Sequence, residues 1–164
     1  MIIAISHGED LLPVDRQILI FERVKYELLT PAGLRTLSPK DPKYIGRYNT
    51  YLPTEEKDLV YHQGTAWPWL MGPFCDALAK VRQYQRISNE LIKEEIAFYL
   101  GPLVKFCLES PYKSLPELFS GDPPHTPEGT TSQAWSVAEV YRILVEYRIL
   151  DRQICNYSKL KNLC

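Results

Sequence analysis

"WPWLMGPFCDALAKVRQY" (Trp67–Tyr84) decides the fold class. Leu70, Phe74, Leu78 and Val81 recur at intervals of three and four, the spacing that lines one side of a helix. Pro68 and Pro73 fall in or near the first turns, where a missing N–H is tolerated, so the spacing predicts a helix with an irregular start. Working outward, a helix over 89–108 would turn Leu91, Ile92, Ile96, Tyr99, Leu103 and Phe106 inward, with a kink at Gly101-Pro102. On the other side, Pro13 suits the first position of a helix over 13–29 with Val14, Ile18, Phe21, Val24 and Leu28 on one stripe. Thr30-Pro31 and Gly33 end it. Thr131 or Ser132 would cap a last helix to about Leu150, its inner stripe being Trp135, Ala138, Tyr141, Leu144 and Val145. The tail "DRQICNYSKLKNLC" could extend that helix.

No run alternates with period two for long enough to argue a strand. Only Met1–Ser6 could be one, and it reads equally as a helix end. The expectation is one all-α domain over 1–164, with long connections over 31–66 and 109–131. The first holds Pro31, Pro39, Pro42, Pro53 and four tyrosines, yet shows no sustained period. Long connections in a compact domain are usually functional or disordered, and the aromatics and prolines of this one favour order. Asp41-Pro42 and "TEEKD" (54–58) read as a turn and a solvated charge run.

The chain has 164 residues, 45% hydrophobic and 24% charged, with net charge −1. These totals describe a soluble globular domain large enough for a core. Nothing electrostatic points to nucleic acid, and no apolar run approaches a membrane span. "MIIAISHGED" has neither the basic start nor the cleavage site of a signal peptide. Cys75, Cys107, Cys155 and Cys164 form no C-x-x-C pair, which argues against zinc or a redox motif. Cys75 and Cys107 read as buried thiols of a reduced, cytoplasmic protein. No metal or cofactor is called for. The unusual totals are 13 Pro and 11 Tyr, 5 Phe and 3 Trp. Stiff aromatic loops on a helical frame suit a flat, polar, ring-shaped ligand, of which sugars are one class.

Two stretches could carry chemistry. In "YHQGTAWPWLMGPF" (61–74), Gly64 lets the chain turn, Tyr61, His62 and Gln63 offer hydrogen bonds, and Trp67 and Trp69 offer faces. The plain alternative is that both indoles are core and His62 is a satisfied buried histidine. In "LPELFSGDPPHTPEGTTSQAWSVAE" (115–139), Glu117 sits beside Pro116 and ahead of a Gly-Asp-Pro-Pro turn, held as a catalytic acid or base must be. Asp122 and His125 are near enough in sequence to be co-ligands or supporting groups. The plain alternative makes Glu117 a solvated loop charge, Asp122 the maker of an Asx turn, and His125 exposed.

These stretches, with "LLTPAGLRTLSPKDPKYIGRY" (28–48) and the continuation to Leu144, resemble the C-terminal amylo-α-1,6-glucosidase domain of bacterial and archaeal glycogen debranching enzymes. "MIIAIS" resembles a segment deep inside that domain, so the chain is expected to be the C-terminal part of a longer enzyme. The resemblance implies the last third to half of an (α/α)6 toroid. It implies inverting hydrolysis of α-1,6-linked glucose at branch points of glycogen or limit dextrin. By the same resemblance Glu117 is the general base, with its general acid on an earlier segment. Tyr61, His62, Gln63, Trp67 and Trp69 would bind the sugar, with Gln133 and Trp135 opening the helix behind the base. The chain departs from the family pattern at "PEGT" (127–130), where the family has Pro-Arg-Gly-Cys. It departs again at "PYKS" (111–114) and at "YNTYLPTEEKD" (48–58).

Two functions follow as expectations: a hydrolase fragment inactive alone, or a non-catalytic α-glucan-binding or scaffolding protein. A third reading is an unrelated helical toroid with another ligand. A partial ring bares apolar stripes on its outermost helices, so a homo-oligomer or a pairing with the missing N-terminal part of the toroid is expected.

Overall fold

The structure, a computed structural model, describes residues 2–7, 11–49 and 51–149. It is mostly helical: α1 (Ile2–Ser6), α2 (Val14–Glu27), α3 (Thr54–His62), α4 (Met71–Tyr84), α5 (Asn89–Glu109) and α6 (Ala134–Glu146). The centre is α4, which packs against α1, α2, α5 and α6. Nine of its fourteen residues are buried, so it is wrapped on most sides rather than on a single stripe. Phe74 stacks on Phe21 of α2 at 5.3 Å and meets the edge of Tyr99 of α5 at 5.6 Å. The irregular start expected from Pro68 is a 3-10 turn, Pro68–Leu70. Ser88 caps α5 by accepting the Leu91 N–H, and α5 is assigned as one helix through Gly101 and Pro102.

The all-α expectation needs correcting. The long connections pair as a five-stranded antiparallel sheet in sequence order: β1 (Leu29–Thr30), β2 (Gly33–Arg35), β3 (Ala66–Trp67), β4 (Leu118–Phe119) and β5 (Pro127–Glu128). Strands of two or three residues are too short to show alternation, so no sequence window registers them. Their registers, Leu34 to Trp67, Ala66 to Phe119 and Leu118 to Glu128, clip both connections to the front of α4. Met1–Ser6, left open between strand and helix, is helical over Ile2–Ser6. "TEEKD" is not a loop charge run but the opening of α3, with Glu55 and Glu56 in its first turn. Acidic side chains there complement the positive end of the helix dipole.

The facing of several helices also differs. In α6 the buried residues are Ser136, Val140 and Ile143, which face the 3-10 turn and α4. The expected inner stripe lies partly outside: Trp135, Tyr141 and Val145 are 46%, 60% and 48% exposed. A polarity pattern does not place a serine such as Ser136 on the inner face. Gln133, not Thr131 or Ser132, caps α6. Leu91 and Val14 are exposed rather than inward. Cys75 is fully buried, whereas Cys107 is only half-buried. Leu150 and the tail lie outside the described residues. Among those described, no helix is long and apolar enough to cross a membrane.

Arg82 ties three helices. Its guanidinium meets Glu95 of α5 at 2.7 Å and Glu22 of α2 at 3.0 Å, and lies over the Phe21 ring at 5.6 Å. The hydrogen bonds from Arg82 hold the Glu95 carboxyl below its usual value, outweighing desolvation. A depressed carboxylate stabilises the fold above its unfolded pKa and loses that contribution as pH falls through the folded value. The Glu95→Gln variant should therefore unfold at lower urea than wild type at pH 6, by about 1 kcal/mol given solvent screening. The gap should close below pH 4. A gap independent of pH would remove the charge from the explanation.

Candidate functional site

The sheet brings the two candidate stretches together. Glu117 stands immediately before β4, Tyr61 near the end of α3, and Trp67 in β3, which pairs with β4. The Tyr61 hydroxyl donates to Glu117 Oε1. The Thr130 N–H donates to Glu117 Oε2 at 3.2 Å, and the Glu117 N–H donates to the Thr130 carbonyl at 2.8 Å. Burial, then the bond to Glu117 and its charge, push the Tyr61 phenol far above its ordinary value, so it remains a donor. Gly129 completes the cradle. Its φ is +70°, and a Cβ there would stand 2.5 Å from Glu117 Oε2. Only glycine fits both the turn and the carboxylate.

An aromatic strip runs from the carboxylate. Tyr61 meets Trp67 edge-on at 4.7 Å, Trp67 meets Trp135 at 5.9 Å, and Trp135 stacks on Trp69 at 5.6 Å. Thr65 Oγ1 locks it, accepting from Trp67 Nε1 at 2.9 Å and donating to the Tyr61 carbonyl at 2.7 Å. Trp67 is core, as the plain reading had it, whereas Trp135 is half-exposed at the surface of α6. His62 is exposed, its ring against the edge of Tyr61 at 4.9 Å, so it is not a buried histidine. Gln63 contributes backbone, its carbonyl accepting from Ile45 at 2.6 Å. Gln133 donates its N–H to the Leu115 carbonyl at 2.9 Å, fixing the start of α6 to the Glu117 segment.

The side chain of His125 turns to a different partner from that of Asp122. Asp122 Oδ1 accepts the Tyr44 hydroxyl at 2.8 Å, while His125 Nδ1 lies 3.0 Å from the Ser120 carbonyl. Nor is His125 exposed; it is half-buried. Among the described residues no group of three or more His, Cys, Asp or Glu is placed to hold a metal. The two loops meet at Gly64 and Gly121, where a Cβ on Gly121 would fall 1.9 Å from the Gly64 carbonyl oxygen. Arg35 Nε donates to the Gly121 carbonyl at 2.9 Å from the sheet side.

Sequence reasoning did not single out Thr130, Gly129 or Tyr48. Thr130 acts through its backbone, which no side-chain pattern reports. Gly129 needed knowledge of its φ. Tyr48 lies 6.2 Å from the Tyr61 ring, and its phenol is raised by burial and then by the charges of Glu117 and Glu128.

A held carboxylate thus stands at the head of an indole strip mounted on packed helices. The amylo-alpha-1,6-glucosidase family matches residues 1–142, and the chain belongs to it. It is similar to the glycogen debranching enzyme of Saccharomyces cerevisiae (strain ATCC 204508 / S288c), with 30% identity over 121 residues covering 66% of this chain. The aligned part is 8% of the length of that relative.

Proposed function

We propose that the chain carries the general-base half of an inverting α-1,6-glucosidase site, within the C-terminal third to half of an (α/α)6 toroid, and acts on branch points of glycogen or limit dextrin. The observation that carries this reading is the convergence of Glu117 with the Tyr61–Trp67–Trp135–Trp69 strip. Glu117 takes a proton from water as that water attacks the anomeric carbon. The bond to the leaving oxygen breaks on the opposite face, and that oxygen takes its proton from a general acid on another segment of the toroid. The two carboxyls of such a site stand about 6.5–9.5 Å apart to admit the water. Two fixed donors on Glu117, Tyr61 and Thr130, orient its remaining lone pairs toward the reaction.

The bare face of α6 supports a second part of the proposal. Val137, Tyr141 and Val145, spaced four residues apart and exposed on one side of α6, would be covered by the remainder of the toroid or by a second copy of the chain. One observation favours the non-catalytic reading. Trp135 stacked on Trp69 is a platform for a hexose whether or not an acid is present. Both readings require sugar binding. Titration with a maltooligosaccharide should change tryptophan emission in the millimolar range, and a flat titration would remove both.

A further inference from the structure

The loops carrying Tyr48 and Asp122 close around a second concavity, apart from the indole strip. It is a notch of about 120 Å³, lined by Arg47, Tyr48, Ser120, Asp122, Thr126 and Glu128 with Pro123 and Pro124 at one side. It is open on one side and has room for a few waters. That is the space of one hydroxylated edge of a hexose, not of a chain.

The walls mix hydrogen-bond types. Arg47 only donates, the Asp122 carboxylate accepts, and the hydroxyls of Tyr48, Ser120 and Thr126 do both. Neighbouring sugar hydroxyls each donate and accept, so they match such a wall. The carboxylates of Asp122 and Glu128 oppose a phosphate or carboxylate in the same space. The notch is also formed in advance. Asp122 is fixed by Tyr44 at 2.8 Å, and its N–H donates to the Gly46 carbonyl at 3.0 Å. The Tyr48 N–H donates to Ser120 Oγ at 3.2 Å. A Cβ on Gly46 would stand 2.3 Å from the Asp122 carboxyl, so the loop lies directly against it. Walls already in place lower the ordering cost of binding.

Tyr48 joins this notch to the site. It lines the notch, its ring is 6.2 Å from that of Tyr61, and its phenol feels the charges of both Glu117 and Glu128. We infer that the notch binds the hydroxyl edge of a second, neutral hexose unit, covalently joined to the one that lies at Glu117. This rests on the function proposed above and adds to it a specificity-determining subsite.

The test uses the full chain and compares glucose, maltose, isomaltose and glucose 6-phosphate by isothermal titration. At least one disaccharide should bind about tenfold more tightly than glucose, the worth of one charge-assisted hydrogen bond. Glucose 6-phosphate should gain nothing. Arg47→Ala and Thr126→Val, each checked for an unchanged melting temperature, should reduce the disaccharide advantage and leave glucose affinity as it is. Glucose binding with no disaccharide advantage, or an advantage that survives both substitutions, overturns the notch and leaves the Glu117 reading standing. Failure of every sugar to bind overturns both.

Discussion

Glu117→Gln should lower glucose release from a limit dextrin by at least about 10²–10⁴-fold once the chain is joined to the segment bearing the general acid. The amide keeps the shape of the carboxylate and can still accept from Tyr61 through Oε1, the atom that takes that bond now, while the NH2 in place of Oε2 gives up the bond from the Thr130 N–H. What it cannot do is take a proton from water. The chain alone should release no glucose at enzyme-like rates, because departure of the leaving oxygen is then unassisted. Two controls give the experiment its meaning. Sugar affinity should stay near wild type and the fold should lose no more than about the 1 kcal/mol of the Thr130 bond, since the Tyr61 bond is kept and the side chain is only half-buried. A Gln variant that turns over as fast as wild type would deny Glu117 the role of base, whatever its neighbours.

The second large effect concerns stability. Phe74 is 0% exposed and lies between Phe21 and Tyr99. Phe74→Ala removes a ring from a junction of α2, α4 and α5 that cannot collapse, because each helix is pinned elsewhere, α2, α4 and α5 by Arg82. Truncation of a buried phenylalanine costs about 3–5 kcal/mol. In a chain of this size that is roughly a 10 °C fall in melting temperature. Phe98 supplies the control from the same region. It is 75% exposed, so Phe98→Ala should stay within about 0.5 kcal/mol of wild type. Equal losses at the two positions would mean that α4 is not the centre of the core.

Helices long enough for several turns could be read from spacing. The α4 stripe of Phe74, Leu78 and Val81 is fully buried, and α2 and α5 begin and end within two residues of their expected limits. What spacing missed was set by distant partners. The sheet consists of pairings between residues such as Ala66 and Phe119, which no local window connects. α3 was hidden because its apolar side is thin, with Val60 alone buried. The face of α6 was misjudged because Ser136, a polar residue, is fully buried while Trp135 is half-exposed. At the site, the residues with distinctive side chains were legible: Glu117, Tyr61, Trp67, Trp69 and Trp135 meet in space. The parts made of main chain, Thr130 and the carbonyls of Gln63 and Leu115, carry no side-chain signature. Gln63 and Gln133, expected at the sugar, each also fix backbone through their main-chain groups.

The abutment of Gly121 on the Gly64 carbonyl has a mechanical corollary. Two stretches of polypeptide fifty-odd positions apart are keyed together with no side chain between them to act as a bearing. The phenol and the carboxylate ride on that single mount, so neither can swing out of register without dragging the other. Movement of one of these loops against the other is therefore opposed at the main chain itself.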